Sequence, residues 1–168
     1  MASTRSGNQS DVSERITDFY DCMIDKSYEG FFPDYKAYVT KQVLRVKRFY
    51  KGGTILSVGC GNGDIEARLT MPVACYDIHD AAKVLHPELD FRYEWPTEKF
   101  NLVLCIGSVL PYVPTNKQKE LINKMINATT ENGIVLITGL NNRGEEQDIV
   151  TEYIYSTVYP THPKIKVI

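Results

Sequence analysis

Between positions 55 and 65 the chain reads Ile55-Leu56-Ser57-Val58-Gly59-Cys60-Gly61-Asn62-Gly63-Asp64-Ile65. A short apolar, β-favouring run passes directly into three glycines at alternate positions, and helix-compatible residues follow. Such a stretch folds as a strand, a tight turn and the start of a helix. Two physical needs put glycine there. A turn this sharp demands backbone angles that a Cβ opposes, and a ligand lying flat against the main chain requires the side chains to be absent. A tight turn without a ligand also accounts for an isolated glycine run, so the surroundings decide its meaning.

Those surroundings alternate. Besides Thr54–Val58, short apolar runs occupy Val73–Asp77, Leu89–Tyr93, Phe100–Ile106 and Ile134–Thr138, with helical or turn-like material between most of them. Continuous apolar strands alternating with helices predict an α/β fold: a mostly parallel sheet with helices on both faces. Upstream, Val12, Ile16, Phe19 and Met23 recur at helical spacing from about Asp11. Gly30 and Pro33 interrupt the chain, Asp34 suits an N-cap, and Val39, Val43, Val46 and Tyr50 mark the buried stripe of a second helix. A later helix is expected from Thr115, with Thr115 and Gln118 as a capping box and Leu121, Ile122, Met125 and Ile126 facing inward. Asn132-Gly133 is read as its stop and the lead into the next strand. At the C-terminus, Glu145–Ile149 suits a short helix. Thr151–Tyr159 then reads as a strand turned by Pro160–Pro163, so that Lys164–Ile168 closes an antiparallel hairpin; a single Tyr-rich helix over Glu145–Tyr159 is the alternative.

A chain of 168 residues, 43% hydrophobic and 24% charged, suits one domain with its own core. The expected organisation is a disordered leader over 1–10 and a single domain over 11–168, with helices over 11–50 as a lid. Nineteen basic and 21 acidic side chains give a net charge of -2, which removes the usual footprint of a nucleic-acid binder. Cys22, Cys60, Cys75 and Cys105 form no C-x-x-C pair, so no metal site is expected, and they read as buried small hydrophobes in a reduced, cytoplasmic protein. The polar stretch Met1–Ser10 carries no apolar run, so no signal peptide is expected, and the longest apolar run falls short of a membrane-spanning length.

Fourteen residues beyond Gly63, Asp77 ends the second apolar run. An acid at such a strand tip accepts hydrogen bonds from both hydroxyls of a ribose; a helix cap or a solvated loop acid is the plainer reading. The glycine spacing is G-x-G-x-G, whereas dinucleotide binders use G-x-G-x-x-G to hold a pyrophosphate at a helix N-terminus. This spacing, and the absence of a second substrate domain, argue against a nicotinamide-dependent oxidoreductase.

With these residues in place the chain resembles the class I, Rossmann-like S-adenosylmethionine-dependent methyltransferases. Ile55–Gly63 is similar to their glycine motif and Asp77 to their ribose-binding acid. Phe100–Val113 resembles their fourth strand and the segment after it, Asn132–Ile137 their fifth strand, and Tyr28–Tyr38 their aromatic N-terminal helices. The resemblance implies S-adenosylmethionine as cofactor. Gly59, Cys60, Gly61 and Gly63 would line its methionine part, Asp77 would bind the ribose, and Ile78 would pack on the adenine. Glu94 or Trp95 would lie near the adenine edge, and backbone at Ile106 and Gly107 would face the amino group. Family members usually carry an acid where this chain has Ser57, which either weakens cofactor binding or holds the same contact through water. Asn101 replaces the acid that usually starts the fourth strand, and the helix after the second strand has room only for His79–Leu85.

Methyl transfer from a sulfonium is an in-line displacement on an activated carbon, so alignment supplies much of the rate and no catalytic base is required unless the acceptor must lose a proton. The sequence after the fourth strand lacks the paired features that the resemblance associates with nucleic-acid amine, cytosine-carbon or ribose 2′-O methylation. The expected activity is methylation of an unidentified acceptor, a small molecule rather than nucleic acid. The alternative is a catalytically inactive module of the same fold that binds cofactor or protein. Tyr112 is the one candidate to touch an acceptor, although an interface tyrosine is the plainer reading. Lys41, Arg45, Lys47, Arg48 and Lys51 read as a solvated helix face, and His79, His86 and His162 as surface residues.

Overall fold

The computed structural model describes residues 35–106, 113–137 and 162–167. The leader, the first expected helix, Asp34, Gly107, Tyr112 and the Glu145–Tyr159 segment lie outside them.

The elements run α1 (Tyr35–Phe49), β1 (Ile55–Val58), α2 (Asp64–Ala67), β2 (Val73–Tyr76), α3 (Ala81–Leu85), β3 (Asp90–Arg92), β4 (Phe100–Cys105), α4 (Thr115–Asn127), β5 (Thr129–Ile137) and β6 (Ile165–Val167). The strands form one sheet in the order β3-β2-β1-β4-β5-β6, and every pairing is parallel. The direction of winding reverses between β1 and β4. A crevice opens at the carboxyl ends of strands on either side of such a reversal.

Strand alternation divides the core in two. Leu56, Val58, Val103, Cys105, Val135 and Ile137 face α4, where Ile122 and Met125 meet them. Ile55, Leu102, Leu104, Ile106 and Leu136 face α1, which contributes Val39, Val43 and Val46. The helical stripe anticipated on α1 is therefore the buried one. Each large side chain so enclosed contributes about 1.5–3 kcal/mol of apolar burial. Both faces are covered, which is why the strands read as continuous apolar runs rather than as alternation.

Three local expectations are corrected. Helix α4 stops at Asn127, well before Asn132-Gly133. Beyond it the Ala128 carbonyl accepts from Phe100 N–H at 2.8 Å, and Thr129 Oγ1 donates to the Ile126 carbonyl at 2.7 Å. The chain is thus drawn onto the β4 edge at once. Asn132-Gly133 lies instead inside β5, in an irregularity between the pairs Phe100↔Thr129 and Leu102↔Ile134. A Cβ on Gly133 would sit 2.8 Å from Thr129 Cβ and 3.0 Å from the Phe100 carbonyl, so this bulge requires glycine for space.

Pro114, rather than Thr115, is the N-cap of α4, and it makes no side-chain cap bond. Gln118 is buried, and its Nε2 donates to the Val113 carbonyl at 2.9 Å. Finally, Ile165–Val167 is a strand, as expected, but it pairs in parallel with β5 through Val135↔Ile165 and Ile137↔Val167. The antiparallel partner expected for it lies outside the described residues.

Candidate functional site

The turn between β1 and α2 is built by three left-handed glycines. Gly59, Gly61 and Gly63 have φ of 73°, 59° and 76°, in the region that L side chains resist. Gly63 N–H donates to the Cys60 carbonyl at 3.0 Å and Gly59 N–H to the Tyr76 carbonyl at 2.7 Å, so the turn is fastened to itself and to the end of β2. Asn62 finishes it: its Oδ1 accepts from Asp64 N–H at 3.1 Å and its Nδ2 donates to Asp64 Oδ2 at 3.0 Å. Gly63 also has no room for a side chain. A Cβ there would meet Leu89 Cδ1 at 2.9 Å and Ala82 Cβ at 3.0 Å.

Asp77 stands beside this turn. Its Oδ2 accepts from Gly61 N–H at 2.8 Å and its Oδ1 from His79 N–H at 3.0 Å. The side chain is buried. Burial pushes its pKa up, while the backbone amides of His79 and Gly61 oppose that shift. Each oxygen keeps acceptor capacity beyond its one amide bond.

A cleft of about 310 Å³ opens next to it, lined by Asp77, Ile78, His79, Asp80, Phe91 and Tyr93. Ile78 is 89% exposed there, a large apolar side chain left bare at the rim of a polar strand end. Phe91 and Tyr93 make an edge-to-face pair at 5.0 Å, and Lys83 Nζ lies 5.9 Å from the Tyr93 ring centroid. Glu94 and Trp95 do not line this cleft. Glu94 is exposed, and Trp95 packs edge-on to Tyr76 at 5.2 Å with Lys124 Nζ 5.0 Å from its ring centroid, on the α4 side of the sheet. Ile106 is buried at the end of β4.

Ser57 is fully enclosed on the α1 face, and its Oγ donates to Glu66 Oε1 at 2.5 Å. Glu66 projects from α2 and is only 2% exposed. Burial pushes its pKa up to about 7, against the stabilising bonds from Ser57 and its own backbone amide.

Sequence reasoning missed Glu66, Phe91 and Tyr93. An acid in the first turn of a helix is unremarkable by pattern; the available signal was a missing acid at Ser57 with a glutamate nine positions later. The alternation of Phe91 and Tyr93 along β3 was the clue to a shared face.

Other candidates resolve into structure. Asn101 Oδ1 accepts from Thr54 N–H at 3.1 Å and fixes the start of β1. His86, expected at the surface, is half-buried and its Nε2 lies 2.7 Å from Asp64 Oδ1, tying α3 to α2. Cys60, Cys75 and Cys105 are buried free thiols, and burial pushes the Cys105 pKa up to about 12. Lys41, Lys47, Arg48 and Lys51 are exposed and Arg45 half-buried. Among the described residues no helix is long and apolar enough to cross a membrane, and no group of three His, Cys, Asp or Glu is placed to hold a metal ion.

Comparison of the sequence with protein-family models and with curated proteins finds no match. Solved structures do match. DesVI of Streptomyces venezuelae is 20% identical with a TM-score of 0.53, over 66% of this chain and 53% of its own. An S-adenosylmethionine-bound amino pentose methyltransferase from Micromonospora echinaspora is 14% identical with a TM-score of 0.52, over the same shares. A TehB-like S-adenosylmethionine-dependent methyltransferase from Corynebacterium glutamicum is 18% identical with a TM-score of 0.53, over 68% of this chain and 71% of its own. The chain spans about half the length of the first two. These likenesses, with the parallel strand order and the glycine turn at the winding reversal, show that the chain has the Rossmann-like fold of the class I S-adenosylmethionine-dependent methyltransferases.

Proposed function

We propose that this protein binds S-adenosylmethionine at the carboxyl ends of β1, β2 and β4 and transfers its methyl group to a small-molecule acceptor. The observation that carries this reading is the union of three left-handed glycines with Asp77 through the Gly61 amide. That turn offers bare backbone to a ligand, and a buried carboxylate with spare acceptor capacity sits beside it.

The residues suit the group. Gly59, Cys60, Gly61 and Gly63 line the methionine arm by backbone, Asp77 receives the ribose hydroxyls, and Ile78 packs on the adenine with Phe91 and Tyr93 across the cleft. Ile106 offers main chain to the amino group. When bound, S-adenosylmethionine supplies a methyl group on a sulfonium, an electrophilic carbon that needs no further activation. The protein's task is to orient that carbon and exclude water. The net charge of -2 and the likeness to the Micromonospora amino pentose methyltransferase favour a small acceptor over nucleic acid.

Isothermal titration calorimetry tests the reading. S-adenosylmethionine and S-adenosylhomocysteine should bind, and NAD should not; tighter binding of NAD, or of none of the three, rejects it. Methyl transfer is then sought by incubating the protein with methyl-labelled cofactor and fractionated small-molecule extract.

A further inference from the structure

Helix α1 carries charge of one sign. From Tyr35 to Gly63 the sequence holds Lys36, Lys41, Arg45, Lys47, Arg48 and Lys51 and not one Asp or Glu. The other 13 basic side chains of the chain are outnumbered by 21 acidic ones, so the net charge of -2 conceals a segregated molecule. Val39, Val43 and Val46 turn one side of α1 into the core. At spacings of three and four, Lys41, Leu44 and Arg48 share the opposite side, with Lys36 and Lys47 along one edge and Arg45 along the other. Lys36, Lys41, Lys47 and Arg48 are exposed.

Neighbouring α2 does not neutralise this face. Its Asp64 is engaged by His86 at 2.7 Å and by Asn62 at 3.0 Å, and its Glu66 is buried against Ser57. Arg68, just past the end of α2, brings a further cation: its Nη1 donates to Thr40 Oγ1 at 3.0 Å. Among the described residues none of the six basic side chains of 36–51 forms an ion pair.

The layout distinguishes between anions. From Lys36 to Arg48 the charges span about 18 Å of a convex helix surface, at 1.5 Å per residue. They converge on no point, so they match a plane of negative charge better than one small anion. An apolar side chain stands in their midst: Leu44 is 61% exposed, with Lys41, Lys47 and Arg48 three and four positions from it. A phosphate backbone in solution offers Leu44 nothing apolar to pack on. The boundary between lipid headgroups and acyl chains does.

We propose that the outer face of α1 docks the protein on an anionic bilayer surface, with Lys41, Lys47 and Arg48 at the lipid phosphates and Leu44 at the acyl boundary. This is adsorption to one leaflet and requires no spanning segment. Charge segregation orients the molecule as it arrives, because the acidic remainder is repelled by the same surface. The proposal is independent of the cofactor reading, and neither fails with the other.

The test is co-sedimentation of the full chain with vesicles of phosphatidylcholine alone and of phosphatidylcholine with phosphatidylglycerol. The protein should partition at least tenfold more strongly onto the anionic vesicles, and raising the salt should weaken that preference. A cation near such a surface is worth about 1 kcal/mol, or roughly fivefold in partitioning, so Lys41→Gln with Arg48→Gln should lose about thirtyfold. Leu44→Ser should weaken binding several-fold and make the remainder more sensitive to salt. The melting temperatures of the variants report whether the fold is kept; if the first pair does not fold, Lys47→Gln with Lys51→Gln replaces it. Equal partitioning onto both vesicle types, or unchanged partitioning of a folded double variant, overturns the proposal. So does tighter binding to a duplex or single-stranded RNA than to the vesicles when that binding is lost in the same variant, which would assign the face to nucleic acid.

Discussion

Gly61 donates its amide hydrogen to Asp77 Oδ2 across 2.8 Å, joining the glycine turn of one strand to the acid at the tip of the next. Asp77 is thus a brace for the turn, besides the ribose acceptor proposed for it. Its other oxygen is held by His79 N–H, so the carboxylate is oriented before any nucleoside arrives. Orientation in advance reduces the ordering cost of binding.

Asp77→Ala should therefore act twice. Removing the acceptor for two ribose hydroxyls is expected to weaken adenosyl-ligand binding by about ten- to a hundredfold, from about 1.5–3 kcal/mol for a hydrogen bond to a charged group. Leaving the Gly61 amide unpaired should also lower stability by about 1–3 kcal/mol. Calorimetry and urea unfolding read the two effects separately. Asp77→Asn, which keeps an acceptor, should lose affinity but little stability.

Two glycines near β1 make a matched pair. Gly52 has φ of 104° and open space around its absent Cβ, while Gly63 has φ of 76° and neighbours at 2.9 and 3.0 Å. Gly52→Ala should lose only the left-handed backbone cost of roughly 1–2 kcal/mol. Gly63→Ala adds the displacement of Leu89 and Ala82 and should lose about 2–4 kcal/mol in all. Thermal unfolding of the two variants checks the order; equal losses would mean that α2 moves away from α3 at no cost.

Much of this was legible in the sequence because both faces of the sheet are covered. Ile55–Val58 and Phe100–Cys105 are apolar but for Ser57 and Asn101, as strands buried on both sides read. The glycine turn was legible because its conformation excludes other residues. Asn132-Gly133 misled because the same dipeptide serves a helix stop and a bulge. What separates them is the Lys164 ammonium, which donates to Thr129 Oγ1 at 2.8 Å and to the Thr130 carbonyl at 2.6 Å from far along the chain. Glu66 was hidden for a similar reason. Its meaning depends on Ser57, nine positions away and on another element, and on a burial that no local periodicity encodes.

Lys164 accordingly holds the start of β5 to the chain leading into β6. Besides its two side-chain bonds, its carbonyl accepts from Val135 N–H at 2.7 Å. Lys164→Met keeps the aliphatic stem and the backbone bond but removes both donor contacts. It should lower stability by about 1–3 kcal/mol. The loss should be local: amide exchange should quicken around Thr129–Thr130 while the central strands β1 and β4 keep their protection. Uniform loss of protection across the sheet would show instead that β5 and the core unfold together.

The buried Glu66 also sets a pH dependence for the free protein. Its pKa is raised to about 7 from the ordinary 4.5, so between those values the folded chain holds more protons than the unfolded one. Stability from this group is then full below the unfolded value and falls as pH rises through the folded one. A shift of this size is worth up to about 3 kcal/mol. The apo protein should thus melt at a lower temperature at pH 8 than at pH 5.5. Glu66→Gln, which never ionises, should flatten that slope and be the more stable protein at pH 8. A mutant less stable than wild type at pH 8 would mean that Ser57 and Glu66 are held as a structural pair, with its charge already compensated in the free protein.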